Sequence, residues 1–533
     1  MATKRNSRKS RTIGPAVLGK PQGVIQPRVQ AVGPEHFGVV AVDCAKARSK
    51  WTLCDFYGKV LIPATTVEHQ RTALQLATLQ LKEACERYGL RDHIVAVEMT
   101  GTYHRPIQRA FRAAGSETRL VHPFASRQYR LPVHGDDKTD DNDLEGIFRA
   151  AVNGFGLLEP VWDEVYLRLQ LLARHRRDLV GKRAKLQCQI RQYLERCLPG
   201  YAAMFPRDDL WDRPVAMAVA RRASSPEVLR QAGVRGVAQW LREEKVQVFS
   251  RTVEHIVAWS ANAASPDPLA AHLAPVWHAL HDDWQTKTRQ IEQVEVKLAE
   301  ILVQTPYVLL LSHPGINVVS AGELTGEMGP IEHYAHAKAI SGRAGLFPSR
   351  YQSDEVDRAD GPLARFRNAR LRAAWMRVAD NLIRCNPHFR GMSELWKQRR
   401  VDPRDIRCRV ANRATRTIFQ MVSGRQLYRH PSRLDRQYVL DKLLAFHQEH
   451  GTPPVEILRD LKHAAQQIPR SERAAEAVPL RETCNRIRRS RRKGPQPIGT
   501  ILVEVLAHLE AVGLQLEVEA PSPDACVSDM GTR

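Results

Sequence analysis

The 533-residue chain has no run of eighteen apolar residues, so nothing in it reads as a transmembrane helix. Its basic N-terminus lacks the apolar stretch of a secretory signal. It also lacks paired cysteines. Nine are scattered along the chain, an odd number with no C-x-x-C pair, which argues against a disulfide framework or a zinc ribbon. A reducing, cytoplasmic setting is therefore expected. Acids are under-represented: 58 Asp and Glu stand against 80 Lys and Arg, a formal net charge of +22. An excess of that size implies a polyanionic partner, most simply nucleic acid. Apolar residues are plentiful at 43%, enough for several cores and roughly two to four domains.

Residues 1–34 hold seven Lys or Arg and no acid, and read as a disordered basic arm. From residue 35 strands and helices alternate. Strands are expected at 37–42, 50–54 and 60–62, the last two joined by the turn Asp55-Phe56-Tyr57-Gly58. A helix at 67–88, a strand at 94–97, a helix at 104–114 and a strand at 118–121 follow. After a loop, HGDDKTDDNDLEGIFRAAV (134–152) runs from a polar turn into a helix with Leu144, Ile147, Phe148 and Ala151 on one face. This alternation predicts an α/β domain with a mixed sheet over residues 35–158.

Two acids, Asp43 and Glu98, stand just past predicted strand ends, where ligands of α/β sheets gather. Asp140 and Asp143 sit three apart at the start of the later helix, on one face and roughly 5–6 Å apart at Cβ. Carboxylates that close repel unless a cation lies between them, and Mg²⁺ takes oxygen ligands. Together the four suit a two-Mg²⁺ site, with ions about 4 Å apart, of the kind used in phosphoryl transfer. Spacing alone does not decide between that site and a solvated helix terminus.

Residues 160–200 read as a long amphipathic helix with Leu167, Leu171, Leu179, Leu186, Ile190 and Leu194. A second candidate at 283–303 carries Ile291, Val294, Leu298 and Ile301. The pair suits a helical hairpin or coiled-coil arm, placed with its insertion at 159–304. In 305–330 a Pro-Gly turn separates two apolar segments, as in a helix-hairpin-helix whose turn amides face a phosphate. Residues 396–533 read as a basic, helical C-terminal extension. Its stretch CNRIRRSRRK (484–493) has six bases in ten and suits nucleic acid, and a last helix is expected at 499–512.

A three-strand meander with an early Asp, a Glu after the fourth strand and a late acidic pair on a helix resembles the RuvC-like branch of the ribonuclease H fold. The segments AVDCAKARSKWTLCD (41–55), VAVEMTGTYHRPI (95–107) and KTDDND (138–143) resemble the DEDD transposases of the insertion-sequence 110 family. So does AISGRAGLFPSRYQSDEV (339–356), followed by Asn368, Leu371 and Arg372 as an Asn-x-x-Leu-Arg motif. The resemblance implies that Asp43, Glu98, Asp140 and Asp143 are catalytic metal ligands. It implies that residues 305–395 form a mostly α-helical transposase domain with Ser353 as nucleophile. It further implies donor and target DNA as substrates, a structured non-coding guide RNA, and a homo-oligomer, dimer or tetramer, in which metal site and serine meet across protomers. Two positions depart from the family pattern. Asp354 and Glu355 follow the serine, and Arg367 precedes Asn368, where the family has glycine. The arginines Arg350, Arg358, Arg365, Arg367, Arg370 and Arg372 are expected to contact nucleic-acid phosphates.

Two other readings use some of the same residues. A RuvC-type junction nuclease would employ the four acids with water as nucleophile and leave Ser353 idle. An actin-like or sugar-kinase ATPase would use Asp43 with Asp55-x-x-Gly58. That class wants a glycine soon after the first Asp, where Cys44 and Ala45 stand.

Overall fold

The computed structural model of the chain describes residues 23–469 apart from 136, 207–208, 350, 354–355, 359–360, 365–366, 431 and 434–435. The basic stretch at 484–493, the helix expected at 499–512 and most of the N-terminal arm lie outside the described residues. The chain divides into two compact units between Val161 and Trp162. Among the described residues no helix is long and apolar enough to cross a membrane.

The first unit is built on a six-stranded mixed sheet. Its strands are β1 (Phe37–Cys44), β2 (Arg48–Asp55), β3 (Val60–Glu68), β4 (Asp92–Glu98), β5 (Thr118–Val121) and β6 (Gly156–Leu158), in the spatial order β3-β2-β1-β4-β5-β6. The central β1, β4 and β5 are parallel, while β2, β3 and β6 run antiparallel to their neighbours. Helices α1 (Gln26–Val32), α2 (Arg71–Arg87), α3 (Arg105–Ala113), α4 (Pro123–His134) and α5 (Asp140–Ala150) complete it. This mixed sheet is consistent with a ribonuclease H-like domain. The β1 sequence FGVVAVDC is an almost unbroken apolar run because both of its faces are covered. Val39 and Ala41 pack with Leu144 and Ile147 of α5. Val40, Val42 and Cys44 pack with Leu81 of α2 and with Ile107 and Phe111 of α3.

Four elements differ from expectation. Residues 26–32, read as part of a disordered arm, form α1, because Ile25 and Val29 are buried in the core with Phe37 and Ile94. β3 runs to Glu68 rather than to 62, because it pairs along the whole of β2, with Arg48 opposite Glu68. The interior Pro63 is tolerated because β3 is the sheet's edge strand and its register with β2 shifts nearby. α4 occupies the segment expected to be a loop. Pro123 stands in its first turn, where a missing N–H costs nothing, and His122 caps it, Nδ1 accepting from the Phe124 N–H at 3.1 Å. β6 has only three residues and emerges from a wide turn at Gly154, whose φ is +83°. At the β2–β3 turn, Asp55 Oδ1 accepts from the N–H groups of Tyr57 and Lys59, both at 2.9 Å. Its carboxylate is thus engaged in closing the hairpin.

The second unit is helical. The helices Glu164–Cys197 and Ala270–Leu302 run antiparallel, with Arg176 2.5 Å from Glu295 near one end and Cys197 Sγ 3.6 Å from the Ala270 carbonyl at the other. The second helix starts well before 283, with Pro275 inside its early turns. Between the pair, shorter helices from 209 to 262 build a separate core on Ile190, Tyr201, Leu229, Val253 and Trp277. The larger core runs from Tyr166 through Tyr307–Leu311, Trp375 and Ile418 to Ile468, with no break at 395. Within it, the turn at Gly315 (φ +93°) lies so close to the helix Ala369–Cys385 that a Cβ would stand 2.9 Å from the Asn381 carbonyl.

Candidate active site

β1 and β4 are parallel neighbours, with Val42 opposite Val97. Asp43 and Glu98 therefore stand side by side one residue further on, at the ends of strands roughly 4.8 Å apart. The pleat sends alternate residues to opposite faces. Val39, Ala41, Ile94 and Ala96 occupy the α5 side, so Asp43 and Glu98 inherit that side. α5 contributes the other pair. Its buried stripe of Leu144, Ile147 and Ala150 extends backwards at helical spacing to Asp143 and Asp140. The helix starts where it does because Thr139 caps it, Oγ1 accepting from the Asn142 N–H at 3.2 Å.

Asp43, Glu98 and Asp143 are half-buried, and Asp140 is exposed. Burial first, then the charges of Glu98, Asp143 and Asp140, push the Asp43 carboxyl up to about 6. That order of causes sets the other three acids around it. Lys50 lies directly across from Asp43 on β2. Its Nζ is 2.9 Å from Asp141 Oδ1, and this bond, with the nearby acids, holds the ammonium above its ordinary value. α4 and the turn after β4 supply further partners. The Ser126 hydroxyl donates to Glu98 Oε1, and Thr100 Oγ1 donates to Oε2 at 3.1 Å. Arg130 Nε stands 3.1 Å from Asp143 Oδ1. Lys50, Ser126 and Arg130 were not candidates from sequence. The pairing of β1 with β2 pointed to Lys50, but nothing local marks the other two.

Ser353 belongs to the second unit. It ends the short strand Tyr351–Ser353, paired antiparallel with Val356–Arg358, and its backbone lies opposite Val356. Only the backbone of Ser353 and Arg358 is described, and Arg350 and Arg365 lie outside the described residues. Arg367 and Arg370 are exposed, Arg372 is half-buried, and the Arg367 guanidinium sits over the Phe347 ring at 5.9 Å. Asn368 has a plainly structural task. Its Oδ1 accepts from the Leu371 N–H at 3.0 Å, capping the helix Ala369–Cys385, and Leu371 is the first core residue of that helix. Asn368 Nδ2 also donates to Glu327 Oε2 at 3.4 Å. Glu327 is buried and takes Arg174 Nε at 2.8 Å and the second guanidinium nitrogen at 3.1 Å. Arg377 is paired with Glu323.

Residues 40–199 match the model of the DEDD-type IS110 transposases, described as "Transposase". Residues 307–394 match that of the "Transposase IS116/IS110/IS902 family". Together the two matches support an IS110-family DEDD transposase. It is also 24% identical over 324 residues to a protein of insertion element IS116 from Streptomyces clavuligerus, described as an uncharacterized 44.8 kDa protein. That alignment covers 58% of this chain and 75% of the relative. Residues 200–306 of the transposase, which include most of the separate core around Trp277, fall in neither matched segment. The family match implies a DNA-processing enzyme. Among the described residues no three His, Cys, Asp or Glu side chains stand together as a ready-made metal cage. The donor chemistry nevertheless suits a hard divalent cation. The groups are carboxylates, and the repulsion that raises Asp43 is one such a cation would relieve.

Proposed function

We propose that this transposase cuts and rejoins DNA, with Ser353 as nucleophile and Asp43, Glu98, Asp140 and Asp143 as a Mg²⁺ site, two ions fitting the four acids, directed by a structured non-coding RNA. The single observation that supports the reading is that Asp43 and Glu98 stand on neighbouring parallel strands, with Asp143 and Asp140 of α5 near enough for their charges to act on Asp43. In the proposed step the Ser353 oxygen bonds to phosphorus as the P–O bond to the neighbouring deoxyribose breaks. The serine proton passes to a base, and the departing oxygen leaves as a DNA hydroxyl. Attack by a DNA hydroxyl on the phosphoserine reverses the exchange, so bond energy is kept without a nucleotide cofactor. Serine is a weak nucleophile and needs such activation. A divalent cation, when bound, would neutralise charge on the phosphate and on the departing oxygen. Ser126 and Thr100 hold the Glu98 carboxylate in one orientation. Lys50 adds a positive charge beside Asp43 that suits an incoming phosphate.

The excess of positive charge supports DNA together with a guide RNA as partners. The antiparallel helices of 164–302 support a coiled-coil arm joining protomers into a dimer or tetramer, which would let the acids of one copy serve the serine of another. Arg350, Arg358, Arg365, Arg367, Arg370 and Arg372 are proposed to hold the DNA near Ser353. One feature favours a junction nuclease that uses water instead. Asp354 and Glu355 place two negative charges next to Ser353, where a nucleophile approaching phosphate is hindered.

Trapping separates the two. A nicked junction that cannot complete exchange should leave DNA covalently attached to the peptide holding Tyr351, Gln352 and Ser353. Ser353→Ala should lose the adduct and keep DNA binding, while Tyr351→Phe keeps both. Cleavage by the wild type without any adduct, or an adduct that survives Ser353→Ala, would sink the serine assignment.

A further inference from the structure

Two contacts on the acidic centre come from a single helix, α4. Ser126 and Arg130 are four residues apart, so they share one face of it. Ser126 bonds the Glu98 carboxylate, and Arg130 stands 3.1 Å from Asp143. Both are buried, 4% and 9% exposed. Their reach depends on an unusually close helix approach. A Cβ at Gly146 of α5 would stand 2.7 Å from the Ser126 carbonyl and 3.1 Å from Arg130 Cβ. Gly146 is thus the gap through which α4 settles onto α5. The pair between Arg130 and Asp143 has a specific character. Arg130 Nε is buried without a hydrogen-bond partner, so its contact with Asp143 is Coulombic and poorly directed. The same guanidinium also donates to the Asp137 carbonyl at 3.3 Å, which anchors it whether or not Asp143 stays.

We infer that α4 is a clamp on the acidic centre, in which Ser126 orients Glu98 and Arg130 is the counter-charge that a divalent cation displaces from Asp143. The inference rests on the metal reading proposed above. A buried guanidinium needs an anionic partner, and acids whose charges act on Asp43 favour a nearby cation. Arg130 meets both needs before metal arrives. A hydrogen bond that only orients a ligand strengthens metal binding, whereas a cation that competes for the ligand weakens it. Ser126 and Arg130 are positioning residues of opposite sign.

The test is Mn²⁺ binding to the full-length protein without DNA, followed by electron paramagnetic resonance at pH 7.5, with thermal unfolding measured in parallel. Arg130→Gln should bind Mn²⁺ about tenfold more tightly, since one positive charge a few ångströms away is removed. Arg130→Lys, which keeps the charge, should stay within about twofold of wild type. Ser126→Ala should bind about three- to tenfold more weakly, as loss of an outer hydrogen bond to a ligand does, and Ser126→Thr should recover. Should Arg130→Gln not fold, Arg130→Met gives the same charge change at similar volume. Unchanged or weaker Mn²⁺ binding in the folded neutral variant overturns the clamp, because a merely structural arginine gives that result. Wild-type binding that Asp43→Asn does not reduce fails the metal reading itself, and the clamp with it.

Discussion

Two helix starts in this chain carry family motifs, and they use their polar residues in opposite ways. At α5, Thr139 makes the cap, and Asp140 and Asp143 are left over from it, facing the end of the sheet. At the helix Ala369–Cys385, the motif residue Asn368 is itself the cap, and Leu371 is core. A motif of short polar residues before an apolar run therefore mixes structure with chemistry. Where each side chain's hydrogen bond goes is what sorts them. Asn368 is accounted for by the fold of the second unit. Asp140 is not accounted for by the fold of the first, and Asp143 only by its pair with Arg130.

The widest separation is expected in activity. Asp140→Ala or Asp143→Ala should lower strand exchange at least about a thousandfold, as loss of a metal ligand or charge stabiliser does; Asp140→Ala should change unfolding little, whereas Asp143→Ala also strands the buried Arg130 and should lower stability. Full activity in either would collapse the distinction drawn at α5. Next comes the buried Glu327, which joins Arg174 to Asn368. Glu327→Ala should cost about 2–4 kcal/mol in denaturant unfolding, because it strands a guanidinium and loosens the cap.

Asp43 should show a smaller effect with a pH signature. Its carboxyl is raised from 3.8 to about 6 in the folded chain. The folded state therefore binds this proton more tightly than the unfolded one. Stability from this group is lost as pH rises between those values, and the full cost is present above about 6. In metal-free protein Asp43→Asn should raise stability at pH 7.5 by about 1–2 kcal/mol, discounted for partial exposure. The gain should vanish near pH 4. A gain that is equal at both pH values would show that repulsion is not its origin. The smallest effects are the caps. Thr139→Ala and Asn368→Ala should each cost about 1 kcal/mol, and Asn368→Ala should leave the rate of the folded protein close to wild type. If it instead abolished activity with unchanged stability, Asn368 would belong with the acids.

Much of the first unit's order was legible because β1, β2, β4 and β5 are short apolar runs ended by polar turns. The positions of Asp43 and Glu98 at strand ends followed from the same pattern. α4 was hidden by Pro123 and Pro132, which read as loop residues although the first suits a helix start and the second lies near the helix end. Ser126 and Arg130 were invisible for a different reason. Their partners, Glu98 and Asp143, are brought to them by packing rather than by spacing, and the enabling residue is a glycine on another helix. Lys50 needed the strand register. In the second unit the long helices were legible from their leucine spacing, but the start of Ala270–Leu302 was not. Ser353 has no local feature that distinguishes it from other serines. Its assignment comes from family register alone.

The alternation along β1 works as a reading frame for the carboxylate at its end. One residue inserted between Val39 and Asp43 would turn that acid to the other side of the sheet, among Ile107 and Phe111. Two would restore the side but carry it about 6.6 Å past Glu98. The segments that hold the acids can therefore drift in composition but not in length. Growth has to be taken up where no frame is kept, in the β2–β3 hairpin turn or in the helices around Trp277. Such helices can be lengthened, shuffled or replaced without the strand ends registering it.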